Sequence, residues 1–81
     1  MNEREELSMV VDKFAEAMKK RLLSKLKRGY REWQVPDDYD IPNKLLRSVA
    51  EAVVKGNEKS FIDTANLAMF IWYGKLYRAK V

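Results

Sequence analysis

Two carboxylates and one amide have the types and positions that suit chemistry. Glu51 and Asp63 are the acidic residues in otherwise apolar stretches on either side of Gly56, and Asn66 follows Asp63 by one helical turn. In an antiparallel helical hairpin, residues at similar separations from the turn lie at similar heights, so the two carboxylates are expected to face each other. Oxygen ligands are the ones that Mg²⁺ prefers. The pattern predicts a magnesium site on Glu51 and Asp63.

A structural interpretation of the same carboxylates stays open. Glu51 suits a solvated position, and Asp63 suits an ion pair with Lys59, four residues earlier. The chain contains no cysteine and no histidine, which excludes thiolate and imidazole metal ligands, a cysteine nucleophile and a histidine general base. Catalysis would therefore rest on carboxylates, lysine, tyrosine or a metal bound by oxygens.

The length and charge bound the class of protein. Eighty-one residues suffice for a single domain, here residues 1–81, and its net charge of +4 suits a phosphate-bearing ligand or nucleic acid while also being ordinary. The N-terminus is charged and no apolar run is long enough for a membrane span, so we expect a cytoplasmic protein without a membrane partner. So small a core also favours oligomerisation as an added source of stability.

Three helices are expected, over about residues 3–28, 42–55 and 58–79, with a loop over 29–41. Asn2 and Asn57 are N-cap residues, Pro42 suits a first turn, and Gly29 and Gly56 end the helices before them. The short link at Gly56 and Asn57 predicts an antiparallel hairpin. The first helix should pack along a stripe of apolar residues at spacings of three and four: Leu7, Val10, Val11, Phe14, Met18, Leu22 and Leu26.

The third helix is apolar around its whole circumference between Leu67 and Tyr73. A helix of this kind needs neighbours on all sides, and the chain supplies only two others. A second copy should cover the rest, so the sequence predicts an all-α homodimer or tetramer with a two-fold interface. The expected interface residues are Leu67, Phe70, Ile71 and Trp72.

Several segments resemble the MazG-like proteins of phage and virus genomes, which belong to the all-α nucleoside-triphosphate pyrophosphohydrolases. These segments are Phe14-Ala15-Glu16-Ala17-Met18, Lys44-Leu45-Leu46 with Glu51, and Asp63-Thr64-Ala65-Asn66-Leu67-Ala68-Met69. The resemblance implies an oligomeric helical bundle that uses Mg²⁺ to release pyrophosphate from a nucleoside triphosphate. It also implies metal ligands in an E-E-x-x-E stretch on one helix and E-x-x-D on the next.

This chain departs from both acidic patterns. Arg47 and Ser48 stand where the paired glutamates are expected, Glu51 remains as the last acid, and Ser60 replaces the glutamate that precedes Asp63. Arg47 and Asn66 are therefore candidate nucleotide contacts rather than metal ligands. The first hypothesis is a MazG-fold protein without efficient hydrolysis that serves as an oligomeric binding or assembly module, with no certain cofactor.

Two further hypotheses stay open. The chain is alternatively a Mg²⁺-dependent pyrophosphohydrolase whose missing carboxylates come from elsewhere in the oligomer. It is otherwise a small basic nucleic-acid-binding regulator, since Lys20, Lys27, Arg28 and Arg31 concentrate positive charge near the end of the first helix, close to Trp33.

Overall fold

The computed structural model describes residues 2–29 and 40–75, which form three helices. α1 spans Glu3–Lys27, α2 spans Ile41–Lys55 and α3 spans Glu58–Tyr73, followed by one wider, π-type turn at Gly74 and Lys75. The expected all-α architecture, with a long N-terminal helix and a hairpin of α2 on α3, is confirmed. The part of the third helix expected beyond residue 75 lies outside the described residues, as does most of the expected loop.

The helix ends follow from local chemistry. The Asn2 side chain accepts a hydrogen bond of 2.8 Å from the Glu5 amide, and the Asn57 side chain accepts one of the same length from the Ser60 amide. Both amides are among the N–H groups that a helix leaves unpaired at its start. Gly56 takes a left-handed backbone conformation with φ +64°, and its amide donates to the Ala52 carbonyl. That conformation reverses the chain within two residues and makes the hairpin tight.

The core lies between α2 and α3. Among the described residues the buried apolar side chains are Ile41, Ala52, Ile62 and Phe70. The buried side of α2 includes Ile41 and Ala52, whereas Leu46 and Val53 are about seven-tenths exposed. At mid-height of α2, Ser48 rather than an apolar residue contacts α3.

α1 touches the hairpin over only part of its length. Every residue from Asn2 to Glu16 is exposed, and partly covered positions begin at Ala17. No residue of α1 is buried, although its apolar stripe was expected to be a packing face throughout. The described helices include none with the length and apolarity that crossing a membrane requires.

Candidate functional site

Asp63 joins α3 to α1 through two cations. Its Oδ1 accepts a hydrogen bond from Arg21 Nε at 3.0 Å, and its Oδ2 accepts one from Arg21 Nη2 at 3.5 Å. Lys25 Nζ lies 3.7 Å from the same Oδ1. Arg21 and Lys25 are one turn apart on α1, and all three side chains are about one quarter exposed. The two positive side chains offset the negative charge that the Asp63 carboxylate would otherwise offer to a bound cation.

Glu51 has a separate partner on its own helix. Its Oε1 accepts a hydrogen bond of 2.7 Å from Lys55 Nζ, one turn later, and both side chains are more than half exposed. A surface pair of this kind contributes only about 0.3–0.5 kcal/mol. The contact of Glu51 thus lies within α2, whereas the contacts of Asp63 are with α1.

A metal site on these carboxylates stays a prediction. Within residues 2–29 and 40–75, no group of three or more acidic side chains is placed so that it could hold a metal ion. Mg²⁺ needs near-octahedral oxygen coordination, so two carboxylates with other partners would have to be supplemented by water, substrate or another copy of the chain.

Asn66 is buried between α3 and α1. Its exposed fraction is 3%, and its Nδ2 donates a long hydrogen bond of 3.4 Å to the Met18 carbonyl. Its Oδ1 is also buried and has no hydrogen-bond partner among the described residues. Turning the amide over would bring Oδ1 against the Met18 carbonyl oxygen, so the observed orientation is the favourable one. Asn66 therefore contacts α1 through one long hydrogen bond, and Arg47, the other candidate nucleotide contact, lies exposed on α2.

A hydroxyl pair links α2 to α3 and was not found from the sequence. The oxygens of Ser48 and Thr64 are 2.6 Å apart, and the Thr64 hydroxyl donates to the Ser60 carbonyl at 2.8 Å. Since the Thr64 hydroxyl donates its one proton to that carbonyl, the Ser48 hydroxyl is the donor in the contact with Thr64. The signal was present in the sequence, because Ser48 and Thr64 lie at equal separations from Gly56.

The basic C-terminal end of α1 is open to solvent. Lys20, Lys27 and Arg28 are exposed, while Arg21 and Lys25 are partly covered and pair with Asp63. Arg31 and Trp33, which complete the predicted nucleic-acid surface, lie outside the described residues. The predicted surface is thus described only on its helical side.

The ends of α1 and α3 enclose an apolar groove of about 310 Å³. Leu22, Leu23 and Leu26 line one side, and Met69 and Trp72 belong to the other. Of the predicted interface residues, Phe70 is only 5% exposed within the single chain, so its burial needs no second copy. Trp72 is 53% exposed, while Leu67 and Ile71 are partly covered.

Over residues 2–29 and 40–75, the fold and its contacts define an all-α protein with three helices, in which the second half of a long first helix packs against a hairpin. Compared with family models, with curated proteins and with solved structures, the chain matches none.

Proposed function

We propose that this chain is a helical assembly module that works as a homo-oligomer and does not hydrolyse nucleotides. The observation that carries the proposal is the imbalance between buried and exposed apolar side chains. Four apolar side chains are buried within the described residues, whereas fourteen large ones are exposed, among them Val11 at 64%, Leu46 at 68% and Val54 at 84%.

Such a surface is costly for an isolated chain. Covering apolar area contributes about 25 cal/mol per Å², and contiguous apolar surface on a small protein marks an interaction site. A second copy is the partner proposed here, because a chain of 81 residues with so small a core gains stability directly from self-association. The module is a homodimer or a tetramer.

The MazG resemblance fits this proposal as a fold relationship without the hydrolase chemistry. Where that family is expected to carry metal-binding acids, Ser48 here bonds to Thr64 and Ser60 accepts from Thr64 through its carbonyl. The retained acid, Asp63, is engaged by Arg21 and Lys25. Two of these positions, Ser48 and Asp63, thus link helices to each other, and Arg47 and Asn66 are left as candidate contacts to a nucleotide.

Two measurements on one preparation test the proposal. Sedimentation equilibrium should give a mass that is a multiple of the 9.5 kDa chain. Incubation of that oligomer with nucleoside triphosphates and Mg²⁺ or Mn²⁺ should release no pyrophosphate above the level seen with Asp63→Ala. A monomer at high concentration would refute the assembly role. Metal-dependent release that the substitution abolishes would establish the pyrophosphohydrolase instead.

The exposed cations of α1 favour one second candidate, a nucleic-acid-binding module. Lys20, Lys27 and Arg28 are available to phosphates on one end of the helix. Their contribution would be electrostatic, so affinity for a labelled 20-nucleotide strand should fall by about tenfold or more between 50 and 200 mM salt. Absence of binding at 50 mM salt would remove this candidate while leaving the assembly role intact.

A further inference from the structure

The first half of α1 is a helical arm that the rest of the described chain leaves exposed. The arm comprises residues 3–16, all exposed, and is about 21 Å long at 1.5 Å per residue. Leu7, Val10, Val11 and Phe14 recur along it at spacings of three and four, and are 60%, 53%, 64% and 40% exposed. Since a helix of this length is marginal in water on its own, the arm gains from a partner along its apolar stripe.

The stripe of the arm continues the face that α1 presents to α3. Met18, Arg21 and Lys25 lie four, seven and eleven residues after Phe14, so they share its side of the helix, and each contacts α3. The apolar face therefore runs on beyond the hairpin. Within residues 2–29 and 40–75 the chain leaves this continuation of the face uncovered.

We propose that a second copy covers the arm, and that the two arms pack antiparallel about a two-fold axis near Val10 and Val11. This inference rests on the proposed self-association and specifies where and in which direction it occurs. With the axis between these two residues, Leu7 lies at the height of the partner's Phe14, and Val10 at that of the partner's Val11. The stripe is thus complementary to itself, as a two-fold interface requires.

The charges along α1 select the antiparallel direction. Glu3, Glu5 and Glu6 occupy the first turn, whereas Lys13 and Lys20 follow on one flank of the stripe. A parallel pair would bring Glu3 and Glu6 close to their own copies and align the helix dipoles. In an antiparallel pair the two helix dipoles oppose each other. The basic region of each helix then lies near the acidic end of its partner.

One flank gives a specific charge pairing. Glu6, Lys13 and Lys20 are spaced by seven residues, so they share one side of the apolar stripe. In an antiparallel pair each flank faces the same flank of the partner. Measured along the helix axis, Glu6 then lies within about 3 Å of the partner's Lys13. The symmetry forms this contact twice. The arm thus fits a second copy in charge as well as in apolar pattern.

Charge reversal tests the pairing in both directions. Glu6→Lys makes the flank wholly basic, and the double substitution Lys13→Glu with Lys20→Glu makes it wholly acidic. Each variant alone should dimerise about tenfold or more weakly than the wild type, and an equimolar mixture should recover a heterodimer. Asp12→Lys, the same charge change on the far side of the helix, is the matched control and should leave the dimer unchanged. Circular dichroism of every variant checks that the helices form.

Cysteine cross-linking checks direction independently, since the natural chain has no cysteine. Leu7→Cys alone should not cross-link, because the two copies lie about 10 Å apart along the axis, beyond disulfide reach. Mixed with Phe14→Cys it should form a covalent heterodimer. Cross-linking of Leu7→Cys with itself would overturn the antiparallel arrangement.

The outcomes separate this inference from the proposed function. A protein that dimerises, yet responds to none of the charge reversals and forms no Leu7–Phe14 cross-link, assembles through another surface. That result refutes the arm pairing and leaves self-association standing. A wild-type protein that stays monomeric refutes both.

Discussion

The Asp63→Asn substitution removes the charge that joins α3 to α1 while keeping the side chain nearly the same size. In the wild type, Arg21 donates to both carboxylate oxygens, and Lys25 lies 3.7 Å from one of them. Hydrogen bonds to charged groups contribute about 1.5–3 kcal/mol, and the quarter exposure of these side chains reduces that by solvent screening. We expect a loss of about 1–2 kcal/mol in the free energy of unfolding.

Thermal unfolding followed by circular dichroism measures this loss. For a domain of this size, 1 kcal/mol corresponds to about 4–8 °C, so Tm should fall by roughly 5–15 °C. The protein concentration must be held constant, because self-association stabilises the folded chain by mass action. A double-mutant cycle with Arg21→Gln should recover a coupling of about 1 kcal/mol between the two side chains.

Glu51→Gln is the matched control for the neutralised carboxylate. Glu51 pairs with Lys55 on an exposed surface, so its neutralisation should change stability by less than about 0.5 kcal/mol. The reasoning is refuted if Asp63→Asn is as stable as the wild type or more stable. A carboxylate kept for metal binding would behave in that way, and Mg²⁺ would then raise the Tm of the wild type but not of the variant.

Three further substitutions test the contacts between and within the helices. Asn66→Leu removes one long hydrogen bond and a buried acceptor that has no partner among the described residues. The free energy of unfolding measured in urea should therefore stay unchanged or rise by up to about 1 kcal/mol. A loss above about 2 kcal/mol would show that the amide is needed. Ser48→Ala removes the 2.6 Å contact with Thr64 and should cost about 1 kcal/mol by the same measurement, whereas exposed Ser8→Ala should cost almost nothing. Gly56→Ala places a side chain at φ +64°, where no other atom lies within 4 Å of the added carbon. Backbone strain alone should therefore lower the free energy of unfolding by about 1–2 kcal/mol. An unchanged Tm would contradict this reason.

The helices were predictable because their limits depend on neighbouring residues. Asn2 and Asn57 cap helices where the sequence indicates, and Gly56 closes the hairpin as expected. The structure starts α2 at Ile41 and ends α1 at Lys27, each one residue from the predicted limit. Such differences are ordinary at helix ends, where the last turns have few neighbours.

The contacts of the candidate site were harder to predict because they join distant parts of the chain. Periodicity shows which side of α1 is apolar, but it does not determine where α1 crosses α3. That crossing brings Arg21 to Asp63 and Met18 to Asn66. Lys59, the sequence-based partner of Asp63, lies on the same helix, and the structure instead uses two cations of α1. Local spacing favoured a short-range ion pair where the fold supplies a long-range one.

The same limit explains the exposed apolar faces. The stripe of α1 was read as a packing face over its whole length, yet the chain leaves residues 2–16 exposed. On α2 the buried side passes through Ile41, Ser48 and Ala52, so Leu46 and Val53 remain outside. An apolar pattern indicates that a face needs cover, and it does not say whether the same chain provides it.

Sedimentation equilibrium of the wild-type protein tests the central claim most directly. Measured between about 5 and 200 µM in 150 mM salt, the account predicts a mass of at least twice the 9.5 kDa chain, with dissociation on dilution that charge reversal at Glu6 promotes. A mass of one chain across that whole range, from a protein whose circular dichroism shows folded helices, would contradict it.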